Sequence, residues 1–346
     1  MSILKQFTVT RAIIAALLVV GGYLLALNLG LLGSVDLSNA PEPVRNIAMA
    51  LPGQEFNLSG NTAQAQIFQG CAFRDCIPSI DEPVFISAGE AEQNGEIVGS
   101  DTVFGVFHKG VARAYPLKIL NRHEIVNETI EGDPILVTFC PLCGTAIGFE
   151  RAIEVGGERK PVEFGVSGKL VNNNLVMYDR ETNSLWQQVG GEAIAGDQLG
   201  NTLVPFQVDT VLWSDWKELH PDTEVLAQES GFVKTSRRIN YEGNPYGNYD
   251  NEHQRFLFPQ EATDDRLPNK AIVWGIVVNG EAKAYSDEAL AREGTVKDTV
   301  GGENLTVTRN NAGQVRITSE AGEEIVPDRS MWFAWFAFNK DTELFR

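Results

Sequence analysis

Residues 103–115 read VFGVFHKGVARAY and residues 273–285 read VWGIVVNGEAKAY, aligned without a gap at an offset of 170 (273 − 103). The register continues downstream, with Leu120 matching Leu290, Val126 matching Val296, Gly132 matching Gly302 and Val137-Thr138 matching Val307-Thr308. Self-similarity at a fixed spacing marks a repeated supersecondary unit. Each segment predicts a hairpin turning at Lys109-Gly110 or Asn279-Gly280, then a short helix near Pro116–His123 or Ser286–Glu293, then further strands. With many short β-branched runs, glycine turns and few long amphipathic stretches, this predicts a β-rich α+β fold. Two related half-repeats would pack into one extended globular unit behind an N-terminal transmembrane helix.

The two segments share their framework but not their polar chemistry. His108 faces Val278 in the alignment, His123 faces Glu293, Cys140 faces Asn310 and Cys143 faces Gly313. Residues needed only for packing would be expected to persist in both segments, so the joint loss marks His108, His123, Cys140 and Cys143 as candidate functional residues. They place a single centre in the first half.

Cys140 and Cys143 follow the β-branched run Pro134–Phe139 and precede Gly144 and the apolar run Ala146–Phe149. The expected order is strand, tight turn, strand. A redox Cys-x-x-Cys normally opens a helix whose dipole lowers a thiol pKa, whereas a Cys-Pro-x-Cys-Gly turn between strands is the form of a metal knuckle. Two thiolates are half of a tetrahedral site, to be completed by His123, by His108, or by Met177, which reads as a core residue whose thioether would suit copper(I). Cys71 and Cys76, close together in a loop flanked by Gly70 and Pro78, most simply form a local disulfide. His220 and His253 read as surface residues, residues 241–249 as an ordered surface loop, and the aromatic run MWFAWFAF at 331–338 as a core strand.

The chain has 346 residues, 43% hydrophobic and 21% charged, with a formal net charge of −18. That charge excludes a phosphate-binding surface, so no nucleic-acid partner is expected. From Ala12 to Leu32 the sequence is almost unbroken apolar, long enough at about 1.5 Å per residue to cross a bilayer. Lys5 and Arg11 precede it and Asp36 follows it, which orients the N-terminus to the cytoplasm. The expected organisation is a cytoplasmic N-terminus at 1–11, an uncleaved single-pass anchor at 12–33, a tether and irregular lead-in at 34–76, a first half with the Cys-x-x-Cys site at 77–260, and a site-less half-repeat at 261–346. The bulk of the protein would then face the periplasm or the cell exterior.

Several ordered blocks carry a family resemblance over roughly Ile77 to Phe345: IPSIDEPVF, ARAYPLKILNRHEIVNE, VTFCPLCGTAIGFER, FGVSGKLVNNNLVMYDRETNSLWQQVGGEAIAG, LHPDTEVL, YEGNPYGNY and WFAWFAFNKDTELF. On these the chain is similar to the bacterial and archaeal family named for domain of unknown function 3179. The resemblance implies an extracytoplasmic protein with a His and Cys-x-x-Cys signature, and no particular reaction. It leaves the Cys71/Cys76 pair outside that signature, as an accessory disulfide.

Three functional readings follow. The first is a mononuclear thiolate and imidazole centre for one transition-metal ion, copper or zinc, because coordination protects a dithiol that would otherwise oxidise outside the cytoplasm. The second is a metal-free thiol–disulfide oxidoreductase using Cys140 and Cys143 with His123 assisting. The third is a membrane-tethered interaction subunit in which Cys140 and Cys143 form a static disulfide. The membrane is the expected partner through the N-terminal helix, and a protein or redox partner is left open.

Overall fold

A computed structural model of the chain describes residues 67–232, 239–251, 256–260 and 262–346, all within the compact unit Ala50–Arg346. The stretch expected to cross the membrane, most of the tether, and His253 lie outside the described residues. Among the described residues no helix is long and apolar enough to cross a membrane.

The described residues form a β-rich α+β fold. After β1 (Ile67–Gln69), β2 (Phe85–Ser87) and α1 (Ala88–Gln93), a hairpin of β3 (Thr102–His108) and β4 (Val111–Pro116) turns at Lys109-Gly110. Helix α2 (Leu117–His123) follows, then β5 (Ile125–Ile130), β6 (Asp133–Cys140) and β7 (Thr145–Glu150). An excursion of β8 (Ala152–Val155), β9 (Glu158–Pro161), β10 (Phe164–Val171), β11 (Asn174–Asp179), β12 (Leu185–Gln187) and β13 (Ala193–Ala195) precedes β14 (Pro205–Phe206), β15 (Asp209–Leu212), α3 (Trp213–Leu219) and β16 (Glu224–Leu226). The remainder is β17 (Ile272–Val278), β18 (Glu281–Ser286), α4 (Asp287–Glu293), β19 (Thr295–Val300), β20 (Glu303–Arg309), β21 (Val315–Ser319), β22 (Glu324–Ile325), β23 (Asp328–Met331), α5 (Trp332–Phe338) and β24 (Glu343–Phe345).

One sheet runs β15-β3-β4-β16-β2, and the strands β23-β17-β18-β24 lie in that order within another. β5-β6-β7 are consecutive neighbours, with β14 on β7, and a separate sheet runs β19-β20-β21-β22. The terminal blocks WSDWKELHPDTEVL and WFAWFAFNKDTELF also align, but at an offset of 119 (332 − 213), so the first segment is 51 residues longer (170 − 119). Those extra residues belong to the β8–β13 excursion.

Each segment is pinned by the same packing device. Trp216 lies on Gly105 and Trp335 on Gly275 so closely that a Cβ on either glycine would fall 2.3 Å from the ring. Each indole N–H is spent on a threonine, Trp216 on Thr223 and Trp335 on Thr342, both at 2.9 Å. Because these rings are fully buried and cannot swing away, Gly105→Ala and Gly275→Ala are each expected to cost about 1–3 kcal/mol by overpacking. Chemical denaturation of each variant against Gly89→Ala, an exposed glycine of α1 with open space around it and an ordinary φ, checks this; equal losses in all three would remove the packing account.

The run MWFAWFAF is a helix and not the expected core strand. Met331 ends β23, and α5 buries Trp332, Phe333, Ala334, Trp335, Ala337 and Phe338. A helix buried on all sides shows no 3.6-residue alternation, so the apolar run alone does not distinguish it from a buried strand. The lead-in before residue 77 is also more structured than expected. β1 pairs with β10, the Asp75 carboxylate meets the Arg180 guanidinium at 2.8 Å, and Cys71 and Cys76 are joined by a disulfide.

The two segments meet at a seam. β23 pairs with β17 on one side and with β7 on the other, Arg329 opposite Ala146, giving the sheet β24-β18-β17-β23-β7-β6-β5. Elsewhere Asp209 of β15 takes two hydrogen bonds from the Arg316 guanidinium of β21, at 2.6 and 2.7 Å. Both contacts join residues that lie on either side of positions 260 and 261 in the sequence.

Candidate functional site

Strand β6 ends at Cys140, and the chain turns through Pro141, Leu142 and Cys143 to re-enter the sheet as β7. The Cys143 N–H closes the turn on the Cys140 carbonyl at 3.2 Å, as Gly313 closes the corresponding turn on Asn310 at 3.0 Å. The backbone device is common to both segments; the sulfurs belong to one.

Cys140 and Cys143 are free thiols, 1% and 0% exposed. Both donate to the Asn173 carbonyl, at 3.5 and 3.1 Å, so their sulfurs converge on one point. Asn173 stands in the tight turn between β10 and β11, and its side-chain amide is clamped to the Phe258 backbone by two hydrogen bonds of 3.0 Å. Next to it the Asn174 amide donates to Gln188 at 2.9 Å, and Gln188 donates to Thr138 and to the Thr145 carbonyl, both at 3.0 Å. This buried polar net ties the wall facing the sulfurs to β6 and β7. The wall is built from the excursion that the second segment lacks. Met177 of β11 lies in the same core cluster as Cys140, Cys143, Trp186 and Phe333.

Burial pushes the Cys143 thiol well up. Cys140 beside it and the Glu124 carboxyl push further in the same direction, while an Asn174 side-chain contact opposes them. Burial thus favours the neutral thiol at Cys143, and a thiolate there needs a positive charge brought to it.

His123, at the end of α2, is buried and committed at both ring nitrogens: Nδ1 to the Pro78 carbonyl at 2.7 Å and Nε2 to the Tyr241 hydroxyl at 2.7 Å. Burial holds its pKa below the ordinary histidine value, against the pull of the Pro78 carbonyl. His108, on the hairpin, meets Asp133 at 2.5 Å. Asp133 opens β6 and Cys140 closes it, eight residues that span about 23 Å at 3.3 Å per residue. His108 therefore stands at the far end of that strand from the sulfurs. The structure brings Cys140, Cys143 and Met177 into one cluster. It does not bring His108 there, and it gives His123 other partners. Among the described residues no three His, Cys, Asp or Glu side chains converge as a metal-binding group.

The second segment also exposes a residue that sequence reasoning missed. Glu124 caps α2 in the left-handed region, at φ 58, where the matching residue is Gly294 at φ 69. Both backbones do the same work, since Phe139 N–H donates to the Glu124 carbonyl and Arg309 N–H to that of Gly294, each at 2.7 Å. A β-substituted residue where the framework takes glycine costs conformational energy that something else must offset. The Glu124 side chain is buried, and burial raises its carboxyl to about 7 despite a hydrogen bond from the Tyr246 hydroxyl at 3.0 Å. The signal was in the alignment, as a glutamate opposite a glycine one residue beyond His123.

The loop at 241–249, expected as a surface loop, sends its tyrosines inward. Tyr241 reaches His123, Tyr246 reaches Glu124, and Tyr249 donates to the Leu142 carbonyl of the cysteine turn at 3.0 Å. The seam adds two more contacts to that turn: the Met331 N–H on the Cys143 carbonyl and the Arg329 guanidinium on the Gly144 carbonyl, both at 2.8 Å.

The family described as "Protein of unknown function (DUF3179)" matches residues 74–326, which include the cysteine turn, its asparagine wall and the tyrosine loop. The chain belongs to this family. Neither the curated proteins nor the solved structures yield a match. The matched span covers both segments up to β22 and stops short of the aromatic helix α5.

Proposed function

We propose that the protein is an extracytoplasmic, membrane-anchored member of its family whose Cys140–Cys143 turn holds one soft metal ion, copper(I), between two thiolates. The observation that carries this reading is the convergence of two buried, reduced sulfurs on the single Asn173 carbonyl. Zinc in a structural site takes four ligands in a tetrahedron, and the nitrogen ligand expected for it, His123, is occupied at both nitrogens. Two soft thiolates with a thioether in the same core suit a monovalent ion of low coordination number. Binding releases two thiol protons, and the cation supplies the charge that stabilises thiolates in this buried setting. Met177 stands in reserve as a third, thioether donor. His123 acts as a positioning residue, holding Tyr241 and through it the loop that covers the turn.

Related half-repeats account for the arrangement around the site: one copy carries the sulfurs, the excursion gives it a wall, and the other copy closes it at β23. The apolar stretch at 12–33 with its flanking charges supports the anchor, and the Cys71–Cys76 disulfide supports an oxidising compartment. Thiol–disulfide exchange is less well served, because an attacking sulfur must reach its partner as a thiolate, and here both sulfurs are buried and one is held neutral.

Metal analysis of the full chain, purified without chelator and titrated anaerobically with copper(I) against a competing chelator, tests the reading. One equivalent per chain is expected, with the disappearance of two titratable thiols. A native zinc site of four ligands, or two reactive thiols that take up no metal, would replace it with one of its rivals.

A further inference from the structure

A second methionine lies against the cysteine turn, and it comes from the other segment. Met331, the last residue of β23, donates its backbone N–H to the Cys143 carbonyl at 2.8 Å. Its side chain runs along the turn, since a Cβ on Gly144 would fall 3.2 Å from its terminal methyl, 3.3 Å from its Cγ and 3.8 Å from its sulfur. Glycine, here at φ 62, leaves that room. The position matching Gly144 in the second segment is Gln314, and the position matching Met331 at the offset of 119 is Leu212, which is exposed. The framework demands neither half of this contact; both halves occur where the thiols are.

Met331 is 5% exposed and belongs to the same core cluster as Cys140, Cys143 and Met177. The two methionines are not equally placed. The cysteine sulfurs are gathered at the Asn173 carbonyl. Met177 stands four residues (177 − 173) further along the chain, about 13 Å at 3.3 Å per residue, with Leu175 ahead of it on the same face of β11. Met331 is bonded to Cys143 itself, and its backbone is fixed a second time by pairing with Ile272. From that fixed point three rotatable bonds let its sulfur settle onto a metal without a shift of the chain. Two thiolates already outweigh a monovalent copper ion by one negative charge, so a neutral donor completes the site in a buried setting at less cost than a carboxylate.

We propose that Met331 is the third ligand of the centre, its thioether closing a three-coordinate copper(I) site across the seam between the segments. The proposal rests on the two-thiolate reading above and refines it, giving the place held in reserve for Met177 to a residue of the segment without thiols. Copper bound in this way ties β23 to the cysteine turn, so the site is complete only when both segments are in place.

Copper K-edge absorption of the full chain in detergent, loaded anaerobically with one equivalent of copper(I), tests it, because the edge distinguishes two-coordinate from three-coordinate copper. Three sulfurs are expected for the unaltered chain and two for Met331→Leu, a swap of similar volume. That variant should keep one equivalent but bind it about 10-fold more weakly or worse against a chelator. Three-coordinate copper in Met331→Leu, or two-coordinate copper in the unaltered chain, overturns the ligand and leaves the two thiolates standing. An unaltered chain that takes up no copper overturns both. Should Met331→Leu fail to fold, carbon-13 methyl labelling of the four methionines decides: a methyl signal that one equivalent of copper shifts and that persists in Met177→Leu supports Met331, and one that vanishes there overturns it.

Discussion

Cys140→Ser and Cys143→Ser are each expected to abolish stoichiometric copper uptake while leaving a folded protein. One thiolate with a neutral thioether holds copper(I) too weakly to withstand the competing chelator, and neither His123 nor His108 is placed to replace the lost sulfur. The cost to stability is small, about 1 kcal/mol, because a serine hydroxyl at either position can still donate to the Asn173 carbonyl that now receives the thiol. His123→Ala separates this centre from an imidazole-ligated one. It should retain one equivalent of copper and instead lose stability, since it strips partners from the Pro78 carbonyl and the Tyr241 hydroxyl. Asn310→Ala, on the matching turn of the second segment, should change neither property by much. Copper stoichiometry across the four variants, with circular dichroism as the folding control, decides the matter. Copper lost with His123 but kept with either serine would reverse the ligand assignment.

The second large effect concerns Glu124 and pH. In metal-free protein the unfolding free energy should fall as pH rises from about 4.5 to about 7, and Glu124→Gln should remove much of that slope. Burial raises the folded-state pKa above the unfolded value, so the folded protein keeps a proton that the unfolded chain gives up in this window. The contribution is therefore fully present below the unfolded pKa and lost as pH passes through the folded one. At about 1.4 kcal/mol per pH unit this amounts to about 3 kcal/mol. Other carboxyls raised by burial, Asp328 and Glu128, act in both proteins and cancel in the difference. Denaturant unfolding of the two proteins at pH 4.5, 6 and 8 measures it. Parallel curves would mean that the carboxyl finds water or a cation in the folded state.

Why Glu124 escaped a reading of the sequence is instructive. A glutamate after a histidine in a charged stretch resembles a solvated helix end, and only the positive φ shared with Gly294, together with the burial, reveals that it is held at a cost. The tyrosines at 241–249 escaped for a similar reason. Asn, Gly and Pro in that stretch announce a loop correctly, but which surface a loop covers depends on contacts with residues more than a hundred positions away. The aromatic helix α5 was misread because complete burial erases the periodicity that separates helix from strand. The block repeated at an offset of 119 was visible and was missed, because the excursion had shifted it out of the register of 170.

What the sequence determined by itself is local. Gly105 and Gly275, the hairpin turns at Lys109-Gly110 and Asn279-Gly280, and the β-branched runs flanking Cys140 and Cys143 specify the strands, their turns and the single location of the thiols. These follow from backbone sterics and from the alternation of side chains along a strand, which act over a few residues. What the tertiary structure decided is the company the thiols keep. The excursion folded back to set Asn173 against both sulfurs, β23 crossed the seam to close the turn, and His123 was turned to Pro78 and Tyr241 instead of to the cysteines. Those outcomes depend on burial and on hydrogen bonds between distant segments, whose energies exist only once the chain has packed and water has left the site.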